Sequence, residues 1–208
     1  MVRYLIGALS GHRMASRRAE CLRTWVADCE LLNIPVVFLL GVENIPAPEQ
    51  FGHALLLPCP DSYDTLSQRT RWFCKWALNR PDWDYLLKCD DDTYVSALHL
   101  SEYKPPGRYV GANFGEFCSG GAGYLLSREC AAIIAEKMLD LTGAEDVLVG
   151  KLMRSHGIPI VDDHCWIAYG DEATRPTKTN NIITAHRLSS ELWRKVSDEV
   201  GVRSVFRI

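Results

Sequence analysis

The stretch Tyr85-Leu86-Leu87-Lys88-Cys89-Asp90-Asp91-Asp92-Thr93-Tyr94-Val95 decides the fold. An apolar strand pattern, Tyr85 to Leu87, runs directly into three adjacent carboxylates. Like charges this close raise one another's pKa and destabilise the folded chain unless a cation neutralises them. A hard divalent ion with oxygen ligands supplies that counter-charge, and a phosphorylated ligand is its natural companion. On an extended backbone, side chains at i and i+2 share a face, so Asp90 and Asp92 are expected to converge while Asp91 points elsewhere. The alternative is a solvated acidic turn, against which stand the strand before the run and the Thr-Tyr-Val after it.

Upstream, strand and helix patterns alternate. Val2 to Leu9 reads as a buried strand and Ser10-Gly11-His12 as the loop leaving its carboxyl end. A helix is expected from about Ala15 to Leu32, basic at its start and apolar through Cys21, Leu22, Trp25 and Val26. Pro35 to Leu40 reads as a second strand, Glu43 to Gln50 as a loop with two prolines, and Ala54 to Leu57 as a short third strand. Asp61 or Ser62 is expected to cap a helix to Asn79, with Leu66, Phe73, Trp76 and Ala77 on its core face. Pro81 ends it, and Trp83 to Cys89 is the fourth strand. This order predicts an α/β fold, a mostly parallel central sheet flanked by helices. Ligands of such sheets sit beyond the carboxyl ends of the strands, where both the Asp run and the Ser10 loop fall.

Downstream, Tyr109 to Ala112 and Gly123 to Leu126 read as strands joined by a glycine-rich crossing, Phe114 to Gly121. Helices are expected from Arg128 to Leu139 and from near Glu145. Short strands are expected at Ile158 to Val161 and Trp166 to Ala168, and an amphipathic tail helix from Ser189 to Val200. With 208 residues and no clean linker or repeat, one domain is expected. Its nucleotide-binding part would span about 1–95 and its acceptor and catalytic part about 96–208.

The composition, 47% hydrophobic and 24% charged, is that of a soluble globular protein. A net charge of −3 gives no reason to expect nucleic acid as a partner. No apolar run reaches bilayer-spanning length, and no signal peptide is visible ahead of the first strand, so a cytoplasmic location is expected, with peripheral membrane association left open. Eight cysteines without a CxxC pair give no zinc spacing and are expected as reduced, mostly buried thiols.

Glu145-Asp146-Val147 forms a second acidic cluster at a helix start. It reads either as a first turn favoured by the helix dipole or as a general base facing the metal site. Ser119-Gly120-Gly121-Ala122-Gly123-Tyr124 lacks the spacing of a phosphate loop; it either lets backbone approach a ligand or makes a plain bend. Of six histidines, His186, after the strand Ile182-Ile183-Thr184-Ala185, is the first candidate for a metal ligand, and His164, beside Asp162 and Asp163, the second. Arg69 either approaches a diphosphate or is a solvated arginine.

Taken in order, these motifs resemble those of glycosyltransferase family 31, the β1,3-galactosyltransferases, β1,3-N-acetylglucosaminyltransferases and Fringe. Arg17-Arg18 with Thr24-Trp25 is similar to the family's Arg-Arg…Thr-Trp signature, and Asp61 to Thr70 to its D-x-Y-x-N-L-T-x-K-T segment. Lys88 to Val95 resembles K-x-D-D-D-x-F/Y-V, Cys118 to Ser127 resembles C-S-G-G-G-Y-V-L-S, and Glu145 to Gly150 resembles E-D-V-x-x-G. Leu22 stands where the family has an arginine, and Thr65 and Arg69 where it has Asn and Lys.

The resemblance implies a GT-A fold and an inverting, metal-dependent transfer of a hexose or N-acetylhexosamine. The sugar would pass from a UDP-sugar to a glycan or glycoconjugate acceptor, in a β1,3 linkage. It implies Asp92 as the ligand of Mn²⁺ (or Mg²⁺), with His186 as a second ligand, and Asp146 as the catalytic base. Asp90 and Asp91 would face the nucleotide, joined in donor binding by Ser10, Arg13, Arg69 and Lys88. Gly121, Tyr124 and Glu145 would lie near the sugar or acceptor. Two rivals are a Mg²⁺-dependent D-x-D phosphatase or phosphotransferase and a non-catalytic nucleotide-sugar or glycan-binding module. The phosphatase normally carries its motif on the first strand, whereas about ninety residues precede this one.

Overall fold

The structure, a computed structural model, describes residues 2–139, 143–163, 166–167 and 182–186. Its sheet grows from β1 (Tyr4–Leu9), six consecutive buried residues. A strand covered on both faces needs such a continuous apolar run rather than an alternating one. β2 (Val36–Gly41) and β5 (Tyr85–Asp90) flank β1 in parallel, and β4 (Ala54–Leu57) pairs in parallel with β2. Beyond β5 the direction reverses at β8 (Tyr124–Ser127), which also pairs antiparallel with β7 (Tyr109–Gly111); β9 (Ile160–Asp162) closes that side parallel to β7. With β3 (Glu49–Phe51) on the far edge, the order among the described residues is β3-β4-β2-β1-β5-β8-β7-β9. A small second sheet joins β6 (Thr93–Val95), β11 (Thr184–His186) and β10 (Trp166–Ile167).

Helices cover both faces. On one, α1 (Ala15–Arg23), α2 (Trp25–Leu31) and α4 (Ala97–Glu102) close a core holding Trp25, Phe38, Tyr94 and Leu100. On the other, α3 (Leu66–Leu78), α5 (Arg128–Lys137) and α6 (Glu145–Ser155) cover Phe73, Trp83, Leu126, Ile134 and Val149.

Several boundaries differ from expectation, each for a local reason. The single helix expected over 15–32 breaks at Thr24 (φ −111°, ψ −108°). The Thr24 hydroxyl donates to the Glu20 carbonyl at 2.8 Å, the back-bonding that bends helices. The break lets Trp25 turn completely into the core. Neither Asp61 nor Ser62 caps α3 through its side chain; a 3-10 turn at Tyr63–Thr65 leads into the helix instead. Glu49 and Gln50, expected in a loop, form β3, an antiparallel edge on β4 closed at Gly52 (φ +55°). Pro46 and Pro48 lie ahead of that strand and leave its ladder intact. Trp83 sits before β5 as a buried anchor, its indole N–H donating to the Ala77 carbonyl at 2.8 Å. β6 and α4, directly after the Asp run, were not expected.

Cys21, Cys29, Cys59, Cys74, Cys89, Cys118 and Cys130 are free and buried. His164, Cys165, Ala168 and the tail Ser189 to Val200 lie outside the described residues. None of the described helices is long and apolar enough to cross a membrane.

Candidate functional site

The parallel pairing of β1 and β5 sets Leu9 opposite Asp90, so Ser10 and Asp91 leave the sheet side by side. The Asp91 N–H donates to the Leu9 carbonyl at 3.0 Å, and the Ser10 hydroxyl to Asp91 Oδ2 at 2.6 Å. Burial pushes the Asp91 carboxyl up from its ordinary range, with Ser10 and Arg17 opposing; repulsion from Asp92 is only a minor contribution. This corrects the emphasis on mutual repulsion. The backbone is also not extended through the run: β5 ends at Asp90, and Asp91 and Asp92 form the turn into β6. Asp90 and Asp92 nonetheless converge, because the turn folds Asp92 back toward the end of β5.

The third member of that cluster arrives from far along the chain. β11 pairs antiparallel with β6, with His186 opposite Thr93. One ligand atom each from Asp90, Asp92 and His186 lies within 4.8 Å of the others. His186 is buried, and its Nδ1 stands 3.1 Å from both Asp92 Oδ1 and Thr93 Oγ1. The Thr93 hydroxyl donates to the Gly121 carbonyl at 2.6 Å. A side chain at Gly121 would collide with the imidazole, so glycine is what admits His186 here.

Adjacent ligands on an octahedral ion with bonds of about 2.1 Å lie about 3 Å apart, close to the Asp92–His186 spacing. Two carboxylates and one imidazole suit Mn²⁺ or Mg²⁺ better than zinc, so the residues present fit such an ion.

Around the cluster lies a cleft of about 1240 Å³, lined among others by Ser10, Arg13, Arg17, Tyr63, Arg69, all three aspartates and His186. Arg17 Nη1 stands 3.3 Å from Asp91 Oδ1 and 3.3 Å from Asp92 Oδ2. Arg18 donates to the Ser10 hydroxyl at 2.9 Å and to the Gly11 carbonyl. Arg69 is buried rather than solvated. It donates to the carbonyls of Ser10 and of Ser62 (2.6 Å for the latter) and pairs with Asp61 at 3.2 Å. Its guanidinium ties the two wall loops together. Arg13 is exposed on the wall.

The expected base sits at the start of α6. Asp146 Oδ2 accepts from the Gly120 N–H and Oδ1 from the Val147 N–H, both at 2.9 Å. The second bond satisfies a first-turn donor, so Asp146 serves the helix start as well. Its neighbour Glu145 points inward and is buried, accepting from Thr70 Oγ1 at 2.9 Å and from the Tyr124 hydroxyl. Lys88 completes this network, its Nζ 3.0 Å from Glu145 Oε2, 3.2 Å from Asp90 Oδ1 and 3.1 Å from the Gly120 carbonyl. Burial alone would lower the Lys88 pKa; Asp90 and Glu145 outweigh it and hold the ammonium above the ordinary lysine value. Burial first, then Glu145, pushes the Tyr124 hydroxyl up.

Lys88, Tyr124 and Glu145 therefore lie beneath the cleft and, like Gly121 and Asp146, are not part of its lining. Tyr124 and Lys88 come together because β5 and β8 pair them directly. Sequence reasoning assigned no site role to Arg17, Arg18, Thr93, Thr70 or Asp61. A signal did exist for the arginines. Cations at a helix start oppose its dipole, so an Arg-Arg pair in the first turns of α1 calls for an acidic partner nearby.

Residues 98–164 match the model of the family described as Galactosyltransferase. Hydroxyproline O-galactosyltransferase GALT5 of Arabidopsis thaliana is 30% identical over 190 residues, covering 72% of this chain and 28% of that protein. The chain thus spans little more than a quarter of this relative's length. Among solved structures, a glycosyltransferase involved in glycosylation of the major capsid of PBCV-1 superposes with a TM-score of 0.56 at 13% identity. That likeness covers 95% of this chain and 98% of the other. A mutant of Drosophila β1,4-galactosyltransferase 7, in complex with manganese, UDP-Gal and xylobiose, gives 0.53 at 13% identity, over 100% of this chain and 80% of the other. The chain therefore carries a galactosyltransferase-family domain of the glycosyltransferase family 31 type, on a GT-A fold.

Proposed function

We propose that this chain is the single catalytic domain of an inverting, metal-dependent hexosyltransferase. It would move a sugar from a UDP-linked donor to a hydroxyl of a glycan or glycoconjugate acceptor, forming a β1,3 linkage. One observation carries the reading: Asp90, Asp92 and His186 converge in a cleft at the carboxyl ends of β1 and β5. The GT-A neighbour that holds manganese and UDP-Gal supports it, as do the galactosyltransferase relatives, which favour galactose as the donor sugar.

Asp92 and His186 would hold the ion, with Asp90 beside them. When bound, Mn²⁺ or Mg²⁺ would offset the negative charge that builds on the departing UDP. Ser10 and Asp91 would face the nucleoside side, and Arg13 would reach the diphosphate. Lys88 would act from beneath by fixing Asp90, and Arg69, on the lining, by tying the cleft-wall loops together. Asp146 would take the proton from the acceptor hydroxyl as its oxygen forms the new bond to the anomeric carbon. The bond from that carbon to the UDP oxygen breaks as the new one forms, on the opposite face, so inversion follows without a covalent nucleophile. The nucleotide-binding part, about 1–95, supplies the Asp run; the part from about 96 supplies His186 and Asp146.

A panel of UDP-sugars with Mn²⁺ tests this, scored by UDP release with simple glycosides and hydroxyproline peptides as acceptors. UDP release that requires both metal and acceptor is expected, with UDP-galactose first. In Asp146→Asn, transfer should fall at least about a hundredfold while UDP affinity stays within about twofold. Equal loss of UDP binding would return Asp146 to a purely structural role. Phosphate release from simple phosphomonoesters without any sugar acceptor would favour the phosphatase reading instead.

A further inference from the structure

Three carboxylates meet at the cleft, and two cations already answer them. Lys88 Nζ pairs with Asp90, and Arg17 Nη1 bridges Asp91 and Asp92. The two cations differ in freedom. The Lys88 side chain is 2% exposed and bound on three sides, whereas that of Arg17 is 48% exposed on the first turn of α1. Lys88 is a fixed charge; Arg17 can swing away into the cleft it lines.

Arg17 also touches the atoms that matter. It approaches Asp92 at Oδ2, while Oδ1 of the same carboxylate faces His186. An ion entering between Asp92 and His186 meets a carboxylate already shared with a guanidinium. A +1 charge a few ångströms from a divalent ion opposes its binding unless the guanidinium moves. Once moved, the guanidinium needs an anion, and the diphosphate of the donor supplies two oxygens in the geometry that arginine prefers.

The geometry points to Arg17 as the resident counter-cation of the site, a side chain that exchanges Asp92 for the nucleotide diphosphate when metal arrives. This makes metal binding and nucleotide binding cooperative. The ion alone must displace Arg17 into solvent, whereas the ion with UDP gives Arg17 a new partner. By linkage, UDP then tightens metal binding and metal tightens UDP binding by the same factor. The inference rests on the metal reading of Asp92 and His186.

The test is calorimetric titration of the full chain with Mn²⁺ alone, and again with saturating UDP. Wild type is compared with Arg17→Gln, Arg17→Lys and Asp92→Asn, each checked for wild-type far-UV circular dichroism. Two ion pairs made by a half-exposed arginine are released in Arg17→Gln, so Mn²⁺ alone should bind about three- to tenfold tighter than to wild type. The enhancement of Mn²⁺ binding by UDP should shrink by at least the same factor. Arg17→Lys, which keeps the charge but not the planar fork, should bind Mn²⁺ alone within about twofold of wild type. If Arg17→Gln does not fold, Arg17→Met carries the same expectation. Unchanged or weaker binding of Mn²⁺ alone in the Arg17 variant overturns the inference while leaving the metal site standing. Asp92→Asn binding Mn²⁺ as well as wild type overturns the metal reading itself, and this inference with it.

Discussion

Replacing Lys88 with methionine removes the only cation that touches Glu145 among the described residues. The Nζ lies 3.0 Å from Glu145, 3.2 Å from Asp90 and 3.1 Å from the Gly120 carbonyl, and both Lys88 and Glu145 are buried. In the variant, the Glu145 carboxylate keeps only the hydroxyls of Thr70 and Tyr124. Breaking a buried pair from one side costs about 3–5 kcal/mol, because the remaining charge stays desolvated. Set against a typical domain stability of about 5–15 kcal/mol, that is a large share. At about 2–4 °C per kcal/mol for a chain of this size, the melting temperature should fall by about 6–20 °C.

Because the Lys88 pKa is raised in the folded chain, its contribution is complete below the ordinary lysine value and is lost as pH rises from there through the folded one. The deficit should therefore be constant between about pH 6 and pH 9. Urea unfolding followed by tryptophan fluorescence, with the m-value as a check on the denatured state, measures it. Glu145→Gln should lose less, about 1–3 kcal/mol, since glutamine can keep hydrogen bonds to both hydroxyls. Removing both charges in Lys88→Met with Glu145→Leu should recover stability relative to Lys88→Met alone. A Lys88→Met chain within about 1 kcal/mol of wild type would refute the buried-pair reasoning.

Two further outcomes follow from local packing and burial. Gly121→Ala places a methyl against the His186 ring, so Mn²⁺ affinity should fall by about tenfold or more with far-UV circular dichroism unchanged; wild-type affinity would show that the ring is not seated there. Burial pushes the Cys21 and Cys118 thiols up to about 12 and the Cys89 thiol well above its usual value. Iodoacetamide at neutral pH should therefore leave all seven described cysteines unlabelled in the native chain, and peptide mapping that finds any of them alkylated within minutes contradicts this burial.

The parallel half of the sheet was legible because β1, β2 and β4 are apolar throughout, with β1 and β2 buried on both faces. The apolar runs Tyr4–Leu9, Val36–Gly41 and Ala54–Leu57 have few other readings once turns bracket them. β3 and β6 were not: β3 is a polar, exposed edge that follows two prolines, and β6 begins directly after the acidic turn. The break at Thr24 depends on one side-chain-to-backbone bond, which periodicity does not register. At the site, the Asp run and its place at a strand end were readable. So was the convergence of Asp90 with Asp92, although the turn at Asp91–Asp92 rather than an extended backbone produces it. Glu145 marks a limit. Its acidic neighbour and helix start pointed to the cleft, but the α3 hydroxyl of Thr70 and the ammonium of Lys88 draw it inward. Arg17 was visible as half of a motif, yet its partners lie more than seventy residues away, beyond the reach of local pattern.

On the proposed function, the cleft at β1 and β5 binds a nucleotide diphosphate through a metal held by Asp92 and His186. Titration of UDP into the chain with Mn²⁺, and again after chelation with EDTA, tests it most directly. UDP should bind at least about tenfold tighter with Mn²⁺ than without, and Asp92→Asn should erase that difference while melting cooperatively like wild type. UDP affinity that is the same with and without metal, or a metal effect that survives in Asp92→Asn, would contradict the account.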